Sequence, residues 1–196
     1  QPTLGFGVGH GVITDTGIHD MVYKGSAEKL AKKELSIKGD LDKWKYVPQM
    51  YRVLNQPAAQ LAMCLSFAAP LMHYGPGVVR SAAYSLWSTT SGKGKSQVLC
   101  SAASIWGHPE VQHNTSAAMR MRKMAVLNNL PVYMDELSDM KDEDLYALAY
   151  SLMGNQEKQK LKSNGAEMVD TGSWSTVTFI TSNKCIKEAV ARHAGD

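Results

Sequence analysis

The chain has 196 residues with 44% apolar and 20% charged side chains, enough to bury one core and to leave room for a small appendage. Twenty-one Lys and Arg against eighteen Asp and Glu leave a formal charge of only +3, which excludes tight nucleic-acid binding through bulk charge and confines any such contact to local basic segments. Cys64, Cys100 and Cys185 lie far apart without a C-x-x-C pair, a pattern of a reduced, cytoplasmic compartment rather than of a disulfide framework or a zinc site.

Gly5 to Gly17 reads as short extended pieces broken by glycine, with Asp15-Thr16-Gly17 as a turn; Gly5-x-Gly7-x-Gly9 is a hairpin signal and not a nucleotide loop, because no helix follows it. The chain starts at Gln1, with neither a methionine nor a basic and apolar leader, so a fragment of a longer protein without a signal peptide is expected. Ser26 to Leu35 reads as a solvated helix with Ser26 as its cap, Ser36 to Asp40 as a loop, and Leu41 to Leu54 as an amphipathic helix carrying Trp44, Tyr46, Met50 and Tyr51. Val53 to Val79 lacks formal charge, yet Asn55, Gln56, Gln60, His73 and three prolines break it, so no membrane span is expected. Pro57 to His73 reads instead as a helix buried on most sides and closed by Gly75-Pro76-Gly77. Val78 to Trp87 then reads as a buried strand of a parallel sheet, followed at once by a loop and a helix from Gln97 to Trp106.

That order is the setting of a phosphate loop, and Thr89-Thr90-Ser91-Gly92-Lys93-Gly94-Lys95-Ser96 is one residue from G-x-x-x-x-G-K-[ST], with Thr89 in place of the first glycine. In such a loop successive backbone N–H groups and the next helix N-terminus surround a β-phosphate. Thr90, Ser91, Gly92, Lys93, Gly94, Lys95, Ser96 and Gln97 are therefore the expected ATP-binding residues, with Lys95 on the β- and γ-phosphates and Ser96 on Mg²⁺. A flexible Gly/Lys surface loop is the alternative. Leu130 to Glu136 is an apolar run ending in adjacent carboxylates, which puts Asp135 beside the metal and makes Glu136 the candidate base that polarises a water. Taken alone, the pair also reads as the acidic start of a helix from Leu137 to Met153. Trp174 to Asn183 is a β-branched strand with an amide at its tip; in ring-shaped ATPases an Asn or Thr here, on the strand adjacent to the two motif strands, helps position the attacking water, which makes Asn183 the candidate and Ser182 the second. A turn-forming Ser-Asn is the plain alternative.

Two basic segments remain. Lys158, Lys160 and Lys162 lie in a Gly/Asn/Gln-rich loop from Gly154 to Gly165, able to meet a phosphate backbone, a neighbouring subunit or only water. Arg120, Arg122 and Lys123 cluster in a helix expected from Ser116 to Leu127, and either set is a candidate to act in trans.

With these elements in order, the chain resembles a family of phage and mobile-element replication ATPases, a large domain long catalogued as uncharacterised and often joined to a primase. The likeness rests on Gly39-Asp40-Leu41-x-x-Trp44, Phe67-Ala68-Ala69-Pro70-Leu71, the loop and helix from Ser91 to Trp106, Leu127-Asn128-Asn129-Leu130-Pro131 ahead of Asp135-Glu136, and Gly154 with its Lys-rich loop. It implies a helicase-like or AAA-type ATPase of phage or plasmid DNA replication. The chain departs from the family pattern at Thr89 and at Lys160, where an arginine is more usual, which weakens a trans-acting role for Lys160.

The expected architecture is α/β: a three-layer P-loop NTPase core of AAA or RecA type with a mainly parallel sheet over 56–196, cut short at its C-terminus, after a small Gly-rich and helical N-terminal extension over 1–55. The expected activity is Mg²⁺-dependent ATP hydrolysis driving a helicase-like or translocase motor, as a homo-oligomeric ring on single- or double-stranded DNA. A nucleotide-binding switch or scaffold with negligible turnover is the competing expectation.

Overall fold

A computed structural model describes residues 5–8, 11–14, 16–20, 33–36, 38–75, 80–107, 111, 115–156 and 172–194. The first three strands, β1 (Gly5–Val8), β2 (Gly11–Thr14) and β3 (Gly17–Asp20), pair antiparallel in chain order, as the glycine-punctuated sequence predicts. Of the helix expected from Ser26, only Lys33 and Glu34 fall among the described helical residues.

The second sheet carries the site. Its strands β4 (Ala82–Trp87), β5 (Val132–Met134) and β6 (Val177–Ser182) are parallel and stand in the order β4-β6-β5, so the last strand in sequence is the middle one. Register pairs Trp87 with Ser182 and Met134 with Ile180, which brings the C-terminal ends of all three strands to one edge. All six residues of β6 are buried, and the β-branched run suits a strand flanked on both sides and covered on both faces.

Strand alternation divides the apolar residues between two layers. Tyr133, Val177 and Phe179 face a cluster with Tyr51 of α1 (Leu41–Val53), Ala59, Ala62 and Met63 of α2 (Pro57–Ala68), and Leu99 and Ala102 of α3 (Lys95–Ala103). Val132, Met134 and Ile180 face the opposite cluster, with Met124 of α4 (Ala117–Leu127), Leu145 and Leu148 of α5 (Asp142–Met153), and Ala189 of α6 (Ile186–Ala194). Helices thus cover both faces of this three-stranded parallel sheet.

Several polar atoms inside these layers are paired. The Tyr133 hydroxyl shares a hydrogen bond with Ser66 Oγ at 2.7 Å and donates to the Ala102 carbonyl at 3.1 Å, and burial pushes its phenol well above the ordinary tyrosine pKa. Trp44 Nε1 donates to Ser104 Oγ at 2.7 Å and Tyr51 bonds Ser101 at 2.9 Å, so α1 is fastened to α3 and to the short 3₁₀ turn Ser104–Trp106.

Several boundaries differ from the sequence reading for identifiable reasons. The helix expected to run to His73 is α-helical only to Ala68 and tightens into a 3₁₀ stretch, Ala69–Tyr74, because Pro70 cannot donate to the α-helical ladder. Helix α3 starts at Lys95, two residues early, with Gly94 in the left-handed conformation as its cap. The helix expected from Leu137 starts only at Asp142: the Leu137 N–H donates to the Thr181 carbonyl at 3.0 Å, and the Leu137 carbonyl accepts the Met140 N–H at 3.2 Å, which closes a turn over 137–140 in place of a first helical turn. Among the described residues no helix is long and apolar enough to cross a membrane.

Candidate functional site

The loop between β4 and α3 is shaped by its glycines. Gly92 and Gly94 have φ of +74° and +79°, and a Cβ at either would meet nothing within 4 Å, so the backbone turns with open space beside it. Thr89 does not have positive φ, and Thr90 N–H donates to Ser88 Oγ at 3.2 Å. The first turn therefore closes through a serine hydroxyl and has no need of glycine at 89.

From this loop two side chains reach the rest of the strand edge. Lys95 Nζ donates to Asn183 Oδ1 at 2.8 Å and lies 3.4 Å from the Thr90 carbonyl. Ser96 Oγ donates to Asp135 Oδ1 at 3.0 Å. Asp135 follows β5 directly and is buried, and Thr181 of β6 donates its hydroxyl to the same Oδ1. The Thr181 oxygen also accepts the Glu136 N–H at 2.9 Å.

Glu136 is the next residue and has φ of +57°, a left-handed conformation that costs a non-glycine residue about 1 kcal/mol and here turns its exposed carboxylate toward β6. Glu136 Oε1 accepts the Ser138 hydroxyl and, at 3.2 Å, the Asn183 side-chain amide. The Asn183 backbone N–H in turn donates to Ser138 Oγ at 2.7 Å. A continuous hydrogen-bonded path thus runs from Ser96 through Asp135 and Thr181 to Glu136, and from there through Asn183 to Lys95.

All five side chains singled out from the sequence for chemistry, Lys95, Ser96, Asp135, Glu136 and Asn183, meet at this edge. Thr90, Ser91, Gly92, Lys93 and Gly94 form the loop above them and Gln97 is an exposed residue in the first turn of α3. Sequence reading points to Asn183 and then Ser182 at the strand tip and names neither Thr181 nor Ser138 as a site residue, although an Asn or a Thr is expected there; a serine two residues after Asp-Glu carries no signal of its own. Ser182, the second candidate at the tip, is fully buried, and its Oγ accepts the Lys184 N–H at 3.1 Å.

The basic segments fare differently. Lys158, Lys160 and Lys162 lie outside the described residues. In α4, Arg122 is exposed, while the other two basic residues of the cluster are withdrawn from the surface. Arg120 is 7% exposed, its Nε has no partner, and burial lowers its pKa against the opposing pull of Asp144. Lys123 is tied at 3.0 Å to the buried Glu34.

Residues 6–171 match the family described as Domain of unknown function (DUF927). The chain belongs to this family. Among solved structures, the DUF927 chain is similar to the SCCmec type IV Cch active helicase, with a TM-score of 0.56 at 21% identity over 93% of its residues. It spans 37% of that helicase's length, and at this identity the likeness is one of fold. None of the curated proteins matches it.

Proposed function

We propose that this DUF927 chain binds Mg²⁺-ATP at the β4–α3 loop and hydrolyses it as the nucleotide-binding part of a helicase-like motor. The observation that carries the reading is the hydrogen-bonded path that links the loop lysine and serine to the Asp135-Glu136 pair across β6. The residues present fit such a ligand. The loop backbone is open beside Gly92 and Gly94, a lysine ammonium lies at its base, and Ser96 Oγ and Asp135 Oδ1 offer adjacent hard oxygens of the kind Mg²⁺ prefers.

Bound Mg²⁺-ATP supplies the γ-phosphoryl group and the cation that neutralises its charge during transfer to water. Lys95 adds a point charge for the phosphates, and while Asn183 holds it the ammonium is already at the strand edge. Ser96 and Asp135 would hold the metal. Glu136 has Oε1 occupied by two donors and, among the described residues, no partner on Oε2, which makes Oε2 the atom that takes a proton from a water. Asn183 fixes that carboxylate relative to Lys95.

The same reading places the motor on DNA in a homo-oligomeric ring, with Lys158, Lys160 and Lys162 as its local basic contacts, an N-terminal extension over 1–55 and the ATPase core over 56–196. The fold shared with part of the Cch helicase supports it. The test is phosphate release with and without single-stranded DNA. Lys95→Ala should lose nucleotide binding. Glu136→Gln should keep binding and lose turnover by about 10² or more. Wild-type turnover in both variants refutes the assignment. Binding with a negligible rate that DNA leaves flat makes the chain a nucleotide switch instead.

A further inference from the structure

Ser138 stands two residues past Glu136 in the turn ahead of α5, and its hydroxyl has both of its roles filled. As acceptor it takes the Asn183 backbone N–H at 2.7 Å; as donor it gives its proton to Glu136 Oε1. A serine hydroxyl normally rotates to suit its surroundings. Here the acceptor side is held by a backbone amide, which cannot rotate, so the O–H is directed at the carboxylate. Glu136 needs such a tether: its side chain is exposed, and nothing in its burial selects one orientation.

We infer that Ser138 is a positioning residue that turns the Glu136 carboxylate so that Oε1 faces Asn183 and Oε2 is left for the water. The inference rests on the ATPase reading above and adds to it a residue that acts through Glu136. The Ser138 hydroxyl and the Asn183 amide converge on one oxygen, so Oε1 is held by two donors from different directions. A single donor would let it swing about that contact. The turn that carries Ser138 is itself fixed by the Leu137 N–H on the Thr181 carbonyl and by Lys184 Nζ on the Met140 carbonyl and on Asp142 at 3.1 Å.

The experiment measures kcat, KM and nucleotide dissociation constant for the protein with Ser138→Ala, Ser138→Cys and Ser138→Thr. Ser138→Ala should lower kcat about tenfold with the dissociation constant unchanged. Ser138→Cys, which keeps the volume and offers a poor donor, should fall in the same direction and serves if the alanine variant does not fold. Ser138→Thr restores the hydroxyl and should recover most of the rate. In a Glu136→Gln background the Ser138→Ala change should cost no more residual turnover, since a residue acting through Glu136 has nothing left to position. Wild-type kcat in Ser138→Ala or Ser138→Cys overturns the role of Ser138, as does an equal fall in the Glu136→Gln background. A wild-type protein that releases no phosphate overturns the ATPase reading and this one together.

Discussion

Replacing Thr181 by valine keeps the shape of a fully buried side chain and removes its one oxygen, which tests whether β6 truly ties the two carboxylate residues together. Two bonds are lost. The first is the donor to Asp135 Oδ1, a bond to a charged group worth about 1.5–3 kcal/mol; Asp135 keeps Ser96 at 3.0 Å, so the lower figure applies. The second is the acceptor of the Glu136 N–H at 2.9 Å, worth about 1 kcal/mol because water reaches the exposed Glu136 and offsets part of the loss. Together they cost about 2.5 kcal/mol, which for a chain of this length lowers Tm by about 5–10 °C. Thr181→Ser keeps the oxygen, loses one methyl, and should cost about 1 kcal/mol. Urea unfolding followed by circular dichroism separates the two, provided the m-value is unchanged. If the valine variant is as stable as the serine variant, Thr181 does not bridge Asp135 and Glu136 and the continuity of the site is refuted.

Asp142 sits between Arg192 at 3.0 Å and Lys184 at 3.1 Å, and their hydrogen bonds, Arg192 first, hold its carboxyl below the usual aspartate value of 3.8. A depressed folded-state pKa stabilises the fold fully above the unfolded value, and this is lost as pH falls through the lowered one; Asp142→Asn should therefore flatten the acid side of a stability-versus-pH curve and leave its slope near neutrality alone. Lys123→Ala should cost about 1.5–3 kcal/mol in chemical denaturation by removing a cation 3.0 Å from the buried Glu34 carboxylate, while the Glu34→Gln, Lys123→Met pair should cost distinctly less; equal losses would mean the ion pair is not the cause. Gly107→Ala should destabilise by about 2 kcal/mol or more, because φ is +112° there and the new Cβ would stand 2.8 Å from the Glu34 carbonyl; a thermal melt indistinguishable from wild type would refute that close approach.

Much of the fold was legible because its signals are local. Gly92-Lys93-Gly94-Lys95-Ser96 announces a turn into a helix whatever surrounds it, and the β-branched run before Asn183 announces a buried strand. Helix α1 begins at Leu41 as read, with Asp40 Oδ1 accepting the Lys43 N–H at 3.0 Å as its cap. What failed depended on partners far away in sequence. Leu137 to Lys141 has helical composition, but its first N–H is taken by Thr181, 44 positions on, and Glu136 adopts a left-handed conformation that no helix start requires. Arg120 and Lys123 read as part of a basic cluster able to act in trans because their spacing says nothing of Glu34 or of the helices that bury them.

Strand order explains why Asn183 and Thr181 matter as much as the motifs that flank them. Adjacent strands stand about 4.8 Å apart, so inserting β6 sets the ends of β4 and β5 about 10 Å from each other. A lysine at the start of α3 and a carboxylate at the end of β5 cannot make a compact pair across that distance, and the structure instead spans it with β6 side chains: Thr181 toward Asp135, Asn183 toward Lys95 and Glu136. Ser96 Oγ, one residue past Lys95, meets Asp135 directly at 3.0 Å, so the loop touches the acidic strand tip at one end of this bridge. On the proposed reading, a nucleotide that drew Lys95 from Asn183 would also act on Glu136, because the same amide bonds both. What the structure holds is a single amide bonded to both Lys95 and Glu136, a link that neither motif could reveal on its own.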